Sequence, residues 1–313
     1  MDEIFAGARS GDIRALARAI SLVEERVEGV EAALDGLPIR RQAGPGAPRV
    51  LGITGPPGAG KSTLVDHMIT RARAVGKTVA VLAVDPSSPF SGGAILGDRL
   101  RMQRHALDPG VFIRSLSARG HLGGLSRATG QVVDLFDAAG WDEILVETVG
   151  VGQSELAVCE VADTAVVVLT PESGDTVQAM KAGLLEIADV FLVNKADRPG
   201  AEALARELEQ AVHLQGGDGW KAPVLTTSAL EDQGIEAALE AMGAHAEWLC
   251  GKGRGEWDAR RGRGRLRTVL DLAAEAAREE AAAFLRGNPV LATALETGEI
   301  SPAAAWAKMQ EDG

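Results

Sequence analysis

Short apolar runs alternate with longer amphipathic stretches along most of the chain. RVLGIT (49–54), KTVAVLAVD (77–85), VFIRS (111–115), EILVET (143–148), TAVVVLT (164–170), DVFLVNK (189–195) and PVLTTS (223–228) are short and rich in β-branched or aliphatic residues. Near-continuous hydrophobicity of this kind marks strands buried on both faces. Helical patterns follow Lys61, Leu125, Asp175, Ala201 and Ile235, so strand and helix alternate. This order predicts a doubly wound, mainly parallel α/β sheet that receives ligands beyond the carboxyl ends of its strands.

Both ends read as helical additions to that core. Ile13, Leu16, Ile20, Val23 and Val27 recur at three- and four-residue spacings with Arg and Glu between them, which predicts an amphipathic helix capped by Asp12. A short helix around 30–37 precedes QAGPGAP (42–48), whose Gly and Pro mark a linker. After Leu249, CGKGRGEWDARRGRGRLR changes the character of the chain, and helical runs follow over 266–284 and 303–309. The expected division is a helical segment and linker over 1–48, an α/β core over 49–249, and a helical extension over 250–313. The Arg-rich run 260–267 reads as a solvated face or as rim charge at a contact.

Composition narrows the picture. Hydrophobic residues make up 46% and aromatics only 4%, with no Tyr, so the core is built from Ala, Val, Leu and Ile. A net charge of −12 argues against a surface made to hold nucleic acid or anionic membrane. Cys159 and Cys250 form neither a disulfide framework nor a metal-site pattern, which points to a reduced, cytoplasmic setting. The first residues carry no apolar signal core, and no stretch has the length of a membrane span.

The strongest chemical signal is Gly55-Pro56-Pro57-Gly58-Ala59-Gly60-Lys61-Ser62, a complete G-x-x-x-x-G-K-[ST] between an apolar strand and a helix, with Thr63 next. In such a loop the glycines let the backbone wrap a phosphate, with N–H groups and the helix N-terminus facing it. Lys61 is then the β/γ-phosphate cation and Ser62 a Mg²⁺ ligand. Asn194-Lys195-Ala196-Asp197 ends a later strand and has the form of a guanine reader, because the Asp197 carboxylate can accept from N1–H and the exocyclic amine, donors that adenine lacks as a pair. Ser228-Ala229-Leu230 offers a backbone N–H to the guanine O6. Two strand-tip carboxylates face the same cleft: Glu147 in ETVGVGQ, where Gly150 can meet the γ-phosphate, and Asp85 ahead of PSSP. Asp98 and Arg99 lie in a Gly- and Ser-rich stretch with the composition of a loop that orders around phosphate and metal. GTP and GDP with Mg²⁺ are the implied ligands.

Together, GDIRALARAISLVE, GPPGAGKSTLVD, AVDPSSPFSGGAILGDRLRM, ETVGVGQSE, PESGDTVQAMKAG and VNKAD resemble the MeaB/ArgK/MMAA-type GTPases, SIMIBI-class P-loop proteins that act as chaperones of adenosylcobalamin-dependent methylmalonyl-CoA mutase. The resemblance runs from Gly11 to Leu230. It implies a P-loop GTPase core that hydrolyses GTP to GDP and phosphate, with Lys61, Asp98 and Glu147 at the catalytic centre and Ser62, Asp85, Asp98 and Glu147 around Mg²⁺. It implies that Asp175, Gln178 and Lys181 form a third switch relaying nucleotide state to the partner; from the residues alone, Asp175 is simply a helix cap. It also implies a homodimer through the C-terminal extension, and a role in protecting an acyl-CoA mutase and gating its cofactor loading. A nickel metallochaperone GTPase is the alternative, opposed by five dispersed histidines (His67, His105, His121, His213, His245) and the lack of C-x-x-C. A kinase role is opposed by the guanine motif.

Overall fold

A computed structural model of the chain describes residues 1–37, 49–85, 102–117, 127–148, 161–173, 183–214 and 219–312. It divides into two compact units, Met1–Gly262 and Arg263–Gly313.

The first unit is an α/β layer structure. Its strands are β1 (Arg49–Thr54), β2 (Val79–Asp85), β3 (Val111–Ser117), β4 (Glu143–Thr148), β5 (Thr164–Leu169), β6 (Val190–Val193) and β7 (Val224–Thr226), and they correspond to the seven apolar runs. Among the described residues they form one sheet in the order β3-β2-β4-β1-β5-β6-β7. Every pairing is parallel, which sharpens the expectation of a mainly parallel sheet. Strand β1 lies between β4 and β5 at the point where the winding reverses, so the loop that leaves β1 opens into the crevice where such sheets bind ligands.

Successive residues of a strand face opposite sides of a sheet, and both sides are buried here. On β1, Leu51 and Ile53 enter the core built with helices α4 (Lys61–Ala74) and α8 (Ile235–Cys250), whereas Val50 enters the core on the other face. On β5, Val166 and Val168 likewise face α4 and α8, and Val167 and Leu169 pack with α7 (Ala201–Leu214). Burial on both faces is why these strands read as continuous apolar runs rather than alternating ones.

The N-terminal helices α1 (Asp2–Arg9), α2 (Ile13–Glu25) and α3 (Val30–Asp35) share a core with α5 (Arg127–Ala138) and the sheet. Asp12 caps α2, its carboxylate accepting from Arg14 N at 2.8 Å and Ala15 N at 3.1 Å. Leu16, Ile20 and Val23 are buried as expected; Ile13 and Val27 are exposed, so the stripe spans only the middle of the helix. The edge strand β3 is covered from this side, with Arg114 reaching Ser21 Oγ at 3.1 Å and Glu24 at 3.0 Å. A short helix α6 (Leu184–Ile187) precedes β6.

The Gly- and Arg-rich stretch after Leu249 is helical. Helix α9 runs unbroken over Arg254–Gly287, beginning well before the expected start at Leu266. Arg260 and Arg261 are neither a solvated face nor rim charge. Arg260 forms a two-pronged pair with Asp189 at 2.7 and 3.0 Å, and Arg261 reaches Asp163 at 2.7 Å, the four side chains being only 6–15% exposed. Trp257 donates from Nε1 to Asp163 at 2.9 Å and lies under the Arg261 guanidinium at 3.8 Å. These carboxylates stand at the amino ends of β5 and β6, the end of the sheet opposite the nucleotide motifs. In the second unit, α10 (Pro289–Glu296) and α11 (Pro302–Asp312) follow the rest of α9, with Ser301 Oγ accepting from Ala304 N at 3.2 Å to cap α11.

Candidate nucleotide site

Residues 55–60 turn from β1 into α4. Gly55, Gly58 and Gly60 adopt φ of 139°, 74° and 90°. At Gly55 a Cβ would stand 2.0 Å from the Val168 carbonyl oxygen of β5, and at Gly60 it would stand 2.3 Å from Asn194 Nδ2. Only glycine therefore fits at these two points, whereas at Gly58 the left-handed backbone alone makes the demand. Helix α4 begins with no side-chain cap, leaving its first N–H groups to the loop mouth, as an anion site requires.

Lys61 is 5% exposed, and its ammonium lies over its own loop, donating to Gly55 O at 2.7 Å and Pro56 O at 3.0 Å. A buried cation fixed at the centre of a ring of backbone groups is poised for phosphate oxygens. Beside it, Ser62 Oγ donates to Glu147 Oε1 at 2.6 Å, both residues being nearly fully buried. The register puts Glu147 opposite Ile53 on the adjoining strand, and the Thr148 and Thr54 hydroxyls meet at 3.1 Å to lock the two strand ends. A hydroxyl and a carboxylate held together at the loop mouth are the hard oxygen donors that Mg²⁺ takes, so these residues fit the implied ion. Asp85 ends β2, with its side chain outside the described residues, as are Asp98, Arg99 and Gly150 and the switch candidates Asp175, Gln178 and Lys181. Among the described residues no cluster of three or more His, Cys, Asp or Glu is disposed around a metal position.

The two segments expected from sequence to read the base are brought together with the glycine-rich loop. Asn194, 3% exposed, donates from Nδ2 to Ala59 O at 2.7 Å and accepts at Oδ1 from Ala229 N at 3.0 Å and Thr227 Oγ1 at 3.3 Å. One side chain thus joins the phosphate loop, the strand end after β6 and the loop after β7. Lys195 takes a left-handed φ of 60° and lies 3.7 Å from Glu172. The Arg198 guanidinium, hydrogen-bonded to Glu172, is the main cause that lowers that carboxyl to about 2, so it is ionised beside Lys195. Asp197 accepts from Ser228 Oγ at 2.9 Å, which ties its carboxylate to the loop after β7. Of the Ser228-Ala229-Leu230 loop, expected from sequence to offer a backbone N–H to guanine, the Ala229 N–H is engaged by Asn194.

Sequence reading missed four participants. Glu172 lies in the PESGDTVQAMKAG string, where only later residues were given a role. Thr54 and Thr148 look like ordinary strand residues until their register is known. His67, on α4, gives its Nε2 to Ala229 O at 2.7 Å, a partner 162 residues away.

The parallel sheet, the glycine-wrapped lysine and the joined guanine motif define the class: this is a P-loop nucleotide-binding protein of the GTPase type. Comparison with known proteins makes it particular. Residues 16–284 match the family described as methylmalonyl Co-A mutase-associated GTPase MeaB, and the chain belongs to that family. It is 41% identical over 239 residues to GTPase ArgK of Escherichia coli, covering 75% of this chain and 72% of that one. To the mitochondrial methylmalonic aciduria type A homolog of Mus musculus it is 36% identical over 258 residues, covering 77% and 62%. A crystal structure of an LAO/AO transport system kinase superposes with a TM-score of 0.70 at 29% identity, covering 99% of this chain and 96% of that one. The protein is a GTPase, the name that the family and the Escherichia coli relative bear. Among the described residues no helix is long and apolar enough to cross a membrane.

Proposed function

We propose that the protein is a cytoplasmic GTP-hydrolysing chaperone that protects an adenosylcobalamin-dependent acyl-CoA mutase, methylmalonyl-CoA mutase foremost, and gates its cofactor loading. The observation that carries this reading is the match of residues 16–284 to a mutase-associated GTPase family, on a chain whose nucleotide loops are already assembled.

In this reading Gly55, Pro57, Gly58, Ala59, Gly60 and Thr63 surround the phosphates, with Lys61 moving from its own carbonyls onto the β- and γ-phosphate oxygens. Ser62 and Glu147, with Asp85 and Asp98, would hold Mg²⁺, which supplies charge neutralisation of the phosphates during in-line attack. Glu147 and Asp98 orient the attacking water, while Lys61 and the loop N–H groups stabilise charge on the transferred group. Asn194, Lys195 and Asp197, with Ser228, Ala229 and Leu230, hold the base. Asp175, Gln178 and Lys181 relay nucleotide state to the mutase. A homodimer through the C-terminal arm completes the proposal, supported by the exposed Leu266, Val269 and Leu270 close together on α9.

The test is Mg²⁺-dependent phosphate release from GTP, with ATP as control, with and without purified methylmalonyl-CoA mutase. Guanine-selective turnover that the mutase accelerates is expected, and Lys61→Ala should abolish it. Unchanged turnover, with no complex on gel filtration in GDP or GTP, would remove the mutase from the proposal.

A further inference from the structure

The loop that follows β7 is gripped from the side of the phosphate-binding helix. Ser228 and Gln233 close it with reciprocal backbone hydrogen bonds of 3.0 Å, and Asp232 within it has a left-handed φ of 57°. His67 meets this loop twice. Its Nε2 is 2.7 Å from Ala229 O, and its Nδ1 is 3.1 Å from Asp232 Oδ1. A carbonyl oxygen only accepts, so Nε2 carries the proton in that contact. Arg71, one turn further along α4, braces the arrangement by binding Asp232 at 2.7 Å and Glu236 at 3.1 Å.

A peptide unit is planar and trans, so its C=O and the following N–H point in opposite directions. Holding Ala229 O against α4 therefore fixes where the Leu230 N–H points. Among the described residues that donor is still available beside Ala229, since the Glu231 N–H is taken by Ser228 O and the other unengaged N–H of the loop, that of Asp232, lies two residues further on. The Ala229 N–H is taken by Asn194 and the Ser228 N–H by Gln233 O, whereas among the described residues no acceptor takes the Leu230 N–H. Leu230 as a residue is 89% exposed.

We infer that His67 is a positioning residue for guanine recognition: by holding the Ala229 carbonyl and Asp232 against the phosphate-binding helix, it turns the 229–230 peptide so that the Leu230 N–H meets O6 of the base. The inference rests on the reading that this loop receives the guanine. It couples the helix that starts at the phosphates to the loop that reads the base, through a side chain that touches neither.

The experiment uses the full chain, freed of nucleotide, and three ligands: GDP, 6-thio-GDP and ADP. The sulfur analogue keeps the N1–H and the exocyclic amine but replaces O6 by a weak acceptor. The parent should prefer GDP over both. One neutral hydrogen bond corresponds to about a five- to tenfold change in Kd, so His67→Ala should weaken GDP by about that factor and 6-thio-GDP by less than about twofold. His67→Gln, which keeps a donor near the Nε2 position, should retain most of the preference for GDP. Equal weakening of GDP and 6-thio-GDP by His67→Ala would reduce His67 to a packing residue and overturn the inference, as would an unchanged GDP affinity or a His67→Gln that loses the preference as completely as the alanine. A parent that fails to distinguish GDP from ADP would overturn the base-site reading itself, and this inference with it.

Discussion

Asn194 offers the sharpest test of how the site is assembled, because its contacts are made before any nucleotide arrives. Replacing it by Ala removes the hydrogen bonds to Ala59 O, Ala229 N and Thr227 Oγ1. Each is worth about 1 kcal/mol net, and Ala59 O and Ala229 N would be left in a buried setting, which adds about 1 kcal/mol or more apiece unless the loops move to find water. The Thr227 hydroxyl can rotate to another acceptor. The sum is about 3–5 kcal/mol, the larger figure holding where the loops find no water, and for a chain of this size it lowers Tm by about 6–20 °C. Since the bonds belong to the nucleotide-free protein, this loss should appear in thermal unfolding with no ligand added. Nucleotide affinity should fall as well, by about ten- to a hundredfold, because the phosphate loop and the base loop are no longer held in register. The assay is paired: calorimetric unfolding of the apo variant and titration with GDP. An Asn194→Ala protein with the parent's apo Tm but reduced GDP affinity would show that the side chain serves only as a contact to the ligand, and the argument that it is a strut would fail.

Other outcomes follow from the same geometry. Gly55→Ala combines a forbidden φ with a Cβ placed 2.0 Å from Val168 O, whereas Gly58→Ala meets only the backbone penalty, so the first should destabilise by more than about 3 kcal/mol and the second by about 1–2 kcal/mol in urea unfolding; equal effects would refute the clash. Arg260→Met leaves the Asp189 carboxylate buried without its guanidinium and should lose about 3 kcal/mol, while Arg254→Met, whose partner Asp258 is exposed, should lose less than about 0.5 kcal/mol. His245 is fully buried, and its pKa is pushed below the ordinary 6.5 chiefly by desolvation, so between its folded and unfolded values the unfolded chain binds more protons. The sign follows: its contribution to stability is complete above about pH 6.5 and is lost as pH falls below that value. Measured Tm should therefore drop more steeply from pH 7 to pH 5.5 in the parent than in His245→Gln.

The sheet was legible because its strands are buried on both faces, and such burial demands unbroken apolar runs such as TAVVVL, whose six residues are all buried. The phosphate loop was legible because its geometric demands fall on consecutive residues: three glycines with positive φ and a lysine reaching back to Gly55 and Pro56. Helix α1 was not read, since Phe5 and Ala8 are its only buried side chains and eight residues hold too few turns to establish a period. The start of α9 was hidden for a different reason. Gly253, Gly255 and Gly262 with a string of arginines read as a break, and what holds that helix is the pairing of Arg260 and Arg261 with carboxylates 71 and 98 residues distant.

That difference separates the two ends of the sheet. At the carboxyl ends, binding a phosphate requires backbone N–H groups in sequence, so the requirement is written locally and can be read as a motif. At the amino ends, Asp163 and Asp189 sit where a charge would be costly unless paired, and any cation within reach satisfies them wherever it lies in the chain. Asp163 takes Trp257 and Arg261, Asp189 takes Arg260 and the Ala165 N–H, and Glu143 at the amino end of β4 takes Arg49 and Lys77. The same non-locality hides His67, whose partners in the base loop lie more than 160 residues ahead of it. What could be read from the residues in order was the chemistry of the phosphates; what could not was the set of long-range polar contacts that hold the loop after β7 against α4 and pair Trp257, Arg260 and Arg261 with the carboxylates at the amino ends of β5 and β6.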